Sequence, residues 1–147
     1  MRAERIGLLA AALVVAGGLV GGFALIGSPA HQRDSELDRR RVGDLAEVAG
    51  AMQRRFHPEG SASIPLPAVL PRHLALYAIG KIETTDPRDH RPYAYVRESA
   101  TRYRLCATFA LASTDNGVDS GGWVHGAGAH CYEFDLTRGA EPQAGSS

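Results

Sequence analysis

The chain has 147 residues, and its 16 Lys and Arg residues balance 16 Asp and Glu residues, so its formal net charge is zero. This length accommodates one modest domain and excludes two large ones. A neutral chain lacks the basic face of a general nucleic-acid binder, and an apolar content of 44% is too high for a disordered chain. We therefore expect a small folded protein with no nucleic-acid partner.

An uncharged stretch near the N-terminus predicts a membrane segment. Residues 6–26 read IGLLAAALVVAGGLVGGFALI. At about 1.5 Å per residue this stretch spans roughly 31 Å, which matches a hydrocarbon core of about 30 Å. The alternative is a cleaved signal peptide, with Arg2 and Arg5 as its basic region and small residues from Ser28 to Ala30. Signal cores run about 7 to 15 residues, so the length favours an uncleaved anchor.

The predicted anchor divides the chain into four parts. We expect residues 1–5 to be a cytoplasmic N-terminus, 6–27 a transmembrane helix, 28–137 an extracytoplasmic domain and 138–147 a disordered tail. The N-terminal flank is short, and the two cysteines suit an oxidising compartment. These features predict a single-pass protein of the inner (cytoplasmic) membrane, with its C-terminal domain outside and the lipid bilayer as a partner.

Glycines in this segment predict helix association. Gly17 and Gly21 are four residues apart, and so are Gly18 and Gly22. This spacing puts a smooth groove on one helix face, where a second helix can approach closely. The alternative is that glycine is simply common in membrane helices. We expect self-association through this face.

An amphipathic helix is predicted after the membrane segment. Its apolar residues recur at near-helical spacing, at Leu37, Val42, Leu45, Val48, Ala49, Met52 and Phe56. The helix begins at Pro29, which suits a first turn, or at Ser35, which with Asp38 approaches a capping box. It ends at His57-Pro58. Arg39 to Arg41 lie beside acidic residues and indicate a solvated face, with contact to anionic lipid headgroups as the alternative.

The C-terminal half predicts a small antiparallel sheet. Residues 58–73 form a proline-bearing loop, and residues 74–82 fit either a strand or a short helix. Strands are expected at 93–96, 103–111 and 131–136. The short separation of the first two favours an antiparallel hairpin. We therefore expect an α+β fold, with the amphipathic helix packed on at least three strands.

The two cysteines share one face of this sheet. Cys106 alternates with Leu105 on its strand, and Cys131 alternates with Tyr132. If the two strands share a sheet, both sulfur atoms lie on the side opposite the apolar residues. We predict a Cys106–Cys131 disulfide, and two reduced thiols are the alternative.

Residues 113–130 form a long Gly-rich loop that contains Trp123, His125 and His130. Long loops in small domains are often functional, so these three residues are candidates for a binding site. The histidines are metal ligands by type, but their spacing is not a usual zinc pattern, and exposed loop histidines explain them equally. We predict no metal and no other cofactor.

One pair of short motifs resembles a catalytic site. Asp119-Ser120-Gly121-Gly122 and Ala129-His130-Cys131 resemble the nucleophile and histidine motifs of trypsin-like proteases. The order of the two motifs is reversed, however, and the chain is too short for two β-barrels. Because a triad is recognised by its geometry, we assign no catalytic residue and expect no enzymatic activity.

The order of these elements resembles type IV pilin-like proteins, in particular the pseudopilins of type II secretion. The resemblance is carried by the two helical segments, by Asp86-Pro87, by Pro92-Tyr93-Ala94-Tyr95 and by Tyr103-Arg104-Leu105-Cys106-Ala107. It covers about residues 6–111 and implies a pilin-like fold. The prepilin cleavage motif is not in its usual place before the membrane helix. The segment from Trp123 to Cys131 also resembles a small family of uncharacterised bacterial membrane proteins.

These observations predict a membrane-anchored, extracytoplasmic and pilin-like protein with a structural or interaction role. Its expected partners are membrane or envelope proteins. One alternative is an extracytoplasmic binding domain that uses the 113–130 loop. The other is a pseudopilin subunit of a type II secretion-like system.

Overall fold

The computed structural model describes residues 7, 11–18, 28–59, 62–113 and 121–143. The chain forms two compact units, Met1–Asp34 and Ser35–Ser147. The regular elements with defined bounds are one long helix, one 3-10 turn and three strands. They are α1 (Pro29–Phe56), η1 (Leu74–Tyr77), β1 (Ala94–Arg97), β2 (Arg102–Phe109) and β3 (Gly128–Asp135).

The prediction of a transmembrane helix is wrong. Within the described part of the chain, no helix has both the length and the apolar character that a membrane crossing needs. Of the predicted span 6–27, only Gly7 and residues 11–18 are described, and they are helical. The single-pass location in the inner membrane, which rested on that helix, is corrected with it.

The predicted helix-association glycines fall partly inside the described residues. Gly17 and Gly18 belong to the helical stretch 11–18 and are exposed. Gly21 and Gly22 lie outside the described residues.

Helix α1 begins at the first of the two predicted starts. The backbone N–H of His31 donates to Ser28 Oγ at 3.2 Å, so Ser28 caps the first turn and Pro29 is the first helical residue. The helix ends with Arg54 and Arg55 in its last turn, where cations complement the helix dipole.

The three strands form one antiparallel sheet in the order β1-β2-β3. Each predicted strand is present, with bounds shifted by one to three residues. Residues 74–82, which fitted a strand or a short helix, contain the 3-10 helix η1. The α+β architecture and the antiparallel hairpin are therefore confirmed.

The core lies between the apolar stripe of α1 and one face of the sheet. Alternation along β2 buries Tyr103, Leu105, Ala107 and Phe109, because successive side chains of a strand point to opposite faces. The same cluster contains residues of α1, namely Leu45, Val48, Ala49, Ala51, Met52 and Phe56. The predicted packing of the amphipathic helix on the sheet is confirmed.

The disulfide joins the two neighbouring strands on the opposite face. Cys106 lies directly across from Cys131 in the register of β2 and β3. Their sulfur atoms are 2.06 Å apart. The parity argument and the predicted disulfide are confirmed.

Part of the predicted disordered tail returns to the sheet. The Gln143 N–H donates to Glu133 O at 2.8 Å beside β3. Gly122 makes room for this segment, because a Cβ there would lie 2.9 Å from Pro142 O and its φ is +84°. Residues 138–143 of the predicted tail thus belong to the described part of the chain, and residues 144–147 lie outside it.

We expect the disulfide to contribute substantially to stability. It closes a loop of 25 residues, and the chain-entropy model assigns about 3 kcal/mol to a loop of this length. Replacing Cys106 and Cys131 by Ala should lower the free energy of unfolding in urea by about that amount. Reductant should destabilise the parent protein similarly and leave the double variant unchanged. Equal stability of the oxidised parent and the double variant would contradict this expectation.

Candidate functional site

The predicted binding residues of the 113–130 loop pack against the aromatic core. The ring of Trp123 lies 4.8 Å from that of Tyr132. His125 is 8% exposed and stacks on Phe109 with ring centroids 3.7 Å apart. The ring of His130 lies 6.4 Å from that of His125. The structure thus brings the three predicted residues together, at the edge of the core.

Backbone bonds close the base of this loop. The Ser113 N–H donates to His125 O at 2.9 Å, and the His125 N–H donates to Ser113 Oγ at 3.0 Å. Burial and the neighbouring His125 lower the pKa of His130. Residues 114–120 lie outside the described residues. These contacts give Trp123 and His125 a packing role.

A buried ion triad joins α1 to the rest of the fold. The Arg41 guanidinium is bidentate on Asp86, with Nε–Oδ2 at 2.6 Å and Nη2–Oδ1 at 3.0 Å. Its Nη1 donates to Asp38 Oδ1 at 2.7 Å. Arg41 and Asp38 are 3% and 4% exposed. We name Asp38, Arg41 and Asp86 the brace.

The brace also terminates β2. The backbone N–H groups of Ala110 and Leu111 donate to the two oxygens of Asp38 at 3.0 and 2.8 Å. The hydrogen bond from Arg41 lowers the pKa of Asp86, and the hydrogen bond to Asp86 raises the pKa of Arg41. The hydrogen bonds of the brace therefore satisfy its guanidinium and both of its carboxylates.

A polar groove of about 520 Å³ lies beside the brace. Arg40 and Asp44 line it from α1, and Lys81, Glu83 and His90 line it from the facing loop. His90 has φ +58° in the turn after Asp86, a left-handed conformation that non-glycine residues seldom adopt.

Asp44 is the carboxylate of this groove that carries a raised pKa. Burial is the main cause, and the nearby charges of Glu83 and Asp86 add to it. Tyr93 donates its hydroxyl to Asp44 Oδ2 at 2.7 Å. The carboxylate is half-buried, and within the described part of the chain the Tyr93 phenol is its hydrogen-bond donor. Its negative charge is thus less compensated than that of Asp86.

One serine lies against a histidine near the end of α1. Ser63 Oγ and His57 Nδ1 are 2.5 Å apart, within hydrogen-bond distance. A catalytic pair needs a third group that orients the histidine. Among the described residues, no carboxylate bonds to His57. The contact instead ties the loop to the helix end, beside the bond from Ile64 N–H to Phe56 O at 2.7 Å.

Two large aliphatic side chains protrude from the loop that follows. Leu76 is 80% exposed and Ile79 is 85% exposed. The backbone between them is fixed, because Arg54 Nε donates to Tyr77 O and the Arg55 guanidinium lies 5.5 Å from the Tyr77 ring centre. We name Leu76 and Ile79 the aliphatic surface.

Metal chemistry and similarity searches add no further assignment. In the described ranges, no three His, Cys, Asp or Glu residues are grouped so that they can hold a metal ion. Comparison with known proteins found no matching family model, curated protein or solved structure. The resemblance to pseudopilins and the expected membrane location therefore gain no support.

Sequence reasoning missed the brace, the groove and the aliphatic surface. Arg41 was read as part of a solvated face, although it stands four residues before Leu45 and therefore on the same helix face. That spacing was the available signal for its burial. No such signal was available for Leu76 and Ile79. Residues 74–82 fitted either a strand or a short helix, and the two alternatives bury different side chains.

Breaking the brace should be strongly destabilising. In Asp86→Asn the buried Arg41 keeps its charge and loses a bidentate carboxylate, and the expected loss is about 3–5 kcal/mol at pH 7. The pKa of Asp86 is lower in the folded state than in the unfolded state, so its contribution is present above about pH 4 and is lost as the pH falls. The difference between the parent and the variant should therefore shrink in acid. Glu36→Gln, at an exposed pair with Arg39, should leave the free energy of unfolding nearly unchanged, because water screens exposed ion pairs.

Removing the charge of Asp44 should have the opposite pH dependence. The folded protein raises the pKa of this carboxyl, so ionisation above about pH 4 destabilises the folded state. Asp44→Asn keeps an acceptor for the Tyr93 hydroxyl and should be at least as stable as the parent at pH 7. This advantage should vanish below about pH 4. An Asn variant that is less stable at pH 7 and equal in acid would show that the charge is compensated.

Proposed function

We propose that this chain is a non-catalytic interaction protein, in which a braced α+β scaffold presents the aliphatic surface to a partner. The observation that carries the proposal is the exposure of Leu76 and Ile79 on a fixed backbone. Burying one such side chain stabilises by about 1.5–3 kcal/mol. In the unbound protein Leu76 and Ile79 are both exposed to water, so neither side chain contributes this stabilisation.

The neighbouring residues support this interpretation. Leu74 lies two residues before Leu76 and is 1% exposed, so the segment has a clear inner side that faces the core. Tyr77 packs against the core between the two exposed residues. The fold thus buries Leu74 and directs Leu76 and Ile79 outwards.

The described titratable groups favour binding over catalysis. The brace carboxylates accept bonds from Arg41 and from backbone amides. The Ser63–His57 pair has no orienting carboxylate within the described ranges. An active site needs a nucleophile or base that is free to act on a substrate, and these groups serve the fold.

A pilin-like structural role is a second candidate. It is favoured by the contacts of the residues that carry the resemblance. Asp86 holds Arg41, Tyr93 holds Asp44, and Tyr95 donates its hydroxyl to Pro67 O at 2.9 Å. Each of these contacts ties the segment before or within the sheet to α1 or to the proline loop, as a structural role of this helix-and-sheet scaffold requires.

Site-specific photo-cross-linking tests the interaction proposal. A photoreactive residue at position 76, in the full chain and in its own cells, should give a discrete adduct. Ile79→Asp should remove this adduct, because a charge at the contact opposes burial. The matched control is the same group at position 91, where the Arg91 side chain is 84% exposed on a different loop.

Two further results bear on this test. Leu76→Ser combined with Ile79→Ser should change the free energy of unfolding by less than about 1 kcal/mol, whereas Leu74→Ala should cost about 2–5 kcal/mol. Identical adducts from positions 76 and 91 would contradict the proposal.

A further inference from the structure

We propose that the aliphatic surface docks on an anionic lipid surface, with Leu76 and Ile79 inserted below the headgroups and arginines facing the phosphates. This inference names the partner of the site in the proposed function and therefore rests on it. It concerns contact with one face of a bilayer and involves no crossing.

The shape of the surface favours lipid. Side chains that are 80% and 85% exposed protrude from the protein and are not sheltered by the walls of a groove. Protein partners usually bury aromatic or arginine anchors in well-packed pockets and use leucine less often. Hydrocarbon needs no matching shape, so two protruding aliphatic side chains suffice for insertion.

The size of the surface disfavours a second copy of this chain. A stable dimer buries about 800 Å² on each partner. Two aliphatic side chains offer much less than that, and the exposed Arg72, four residues before Leu76, would oppose its own copy across a symmetric interface.

The loop that carries the surface is basic. Between residues 60 and 82 the charged side chains are Arg72 and Lys81, with His73 beside them, and there is no Asp or Glu. Arg72 and His73 are exposed. Lys81 pairs with Glu83 at 2.6 Å, so among the described residues of this loop the charge without an ion pair is that of Arg72, at the Leu76 end.

Two arginines of α1 add positive charge below the surface. Arg54 bonds to Tyr77 O, and the Arg55 guanidinium lies over the rings of Phe56 and Tyr77 at 5.1 and 5.5 Å. Among the described residues, neither forms an ion pair with a carboxylate. Arg54 Nη2 and Arg55 Nε are buried and have no hydrogen-bond partner there, while the two residues as a whole are partly exposed. At the Ile79 end of the aliphatic surface, the Glu47 carboxylate lies beside Gly80.

The expected affinity combines both contributions. Full burial of one Leu or Ile side chain strengthens partitioning by roughly 10- to 100-fold. Each arginine near an anionic leaflet adds roughly fivefold, and salt weakens this part. The contact should therefore be reversible, selective for anionic lipid and sensitive to ionic strength.

The test places a fluorophore on the surface itself. Both natural cysteines are in the disulfide and no other cysteine is free, so Leu76→Cys or Ile79→Cys in the full chain can be labelled selectively. On vesicles of phosphatidylglycerol and phosphatidylcholine, the emission should shift to the blue. Brominated acyl chains should then quench it. The control label, at Arg91→Cys, should stay in water.

Charge variants give the second arm of the test. Arg72→Glu should weaken binding to the phosphatidylglycerol vesicles by fivefold or more and leave binding to pure phosphatidylcholine unchanged. Arg91→Glu is the matched control and should have little effect on either. An Arg91→Glu effect as large as that of Arg72→Glu would overturn the assignment to this surface.

The outcomes separate the two proposals. If the labels at positions 76 and 79 are no more quenched than the label at 91, the lipid inference is overturned. A discrete protein adduct from position 76 would then identify a protein as the occupant and uphold the proposed function. Absence of both signals would overturn the proposed function as well.

Discussion

The arrangement of this fold depends on one buried guanidinium. Arg41 lies in the core side of α1, where an unpaired charge is strongly destabilising, and two carboxylates satisfy it. Asp38 comes from the same helix and Asp86 from the loop before β1. Because Asp38 also accepts the amides that follow β2, a rotation of α1 about its axis would break its bonds to two other segments at once, the loop of Asp86 and the residues after β2.

The brace fixes the positions of the polar groove and of the aliphatic surface. Asp44 lies one turn beyond Arg41, so the groove wall on α1 is set by the same helix rotation. Arg54 and Arg55 lie roughly 20 Å along the helix at about 1.5 Å per residue. They hold the segment of Tyr77 and thereby the direction of Leu76 and Ile79. The rotation of α1 that the brace sets therefore determines the geometry of both the polar groove and the aliphatic surface.

Periodic patterns predicted much of the fold, and positions outside a pattern were predicted poorly. The spacing of Leu45, Val48 and Met52 identified the inner face of α1, and strand parity identified the disulfide of Cys106 and Cys131. The membrane prediction rested on the length and apolar character of residues 6–26 and is contradicted by the described helices. Trp123 and His125 were assigned to a binding loop by their type. A loop has no period that reveals which side is buried, so their packing on Tyr132 and Phe109 was not predictable.

The strongest argument for an interaction role is the contrast between the brace on the one hand and the polar groove and the aliphatic surface on the other. Natural sequences make local choices that agree with the global fold, and the brace is such a choice, since each of its charges is paired. Leu76 and Ile79 depart from this rule in the unbound protein, because both are exposed to water although burial of aliphatic side chains is favourable. The half-buried carboxylate of Asp44 is a milder case of the same kind. Such departures are expected at functional sites. Asp44 lies on α1 itself, and the segment of Leu76 and Ile79 is joined to α1 by the bond from Arg54 to Tyr77 O, so a partner would meet both departures beside the helix that the brace holds.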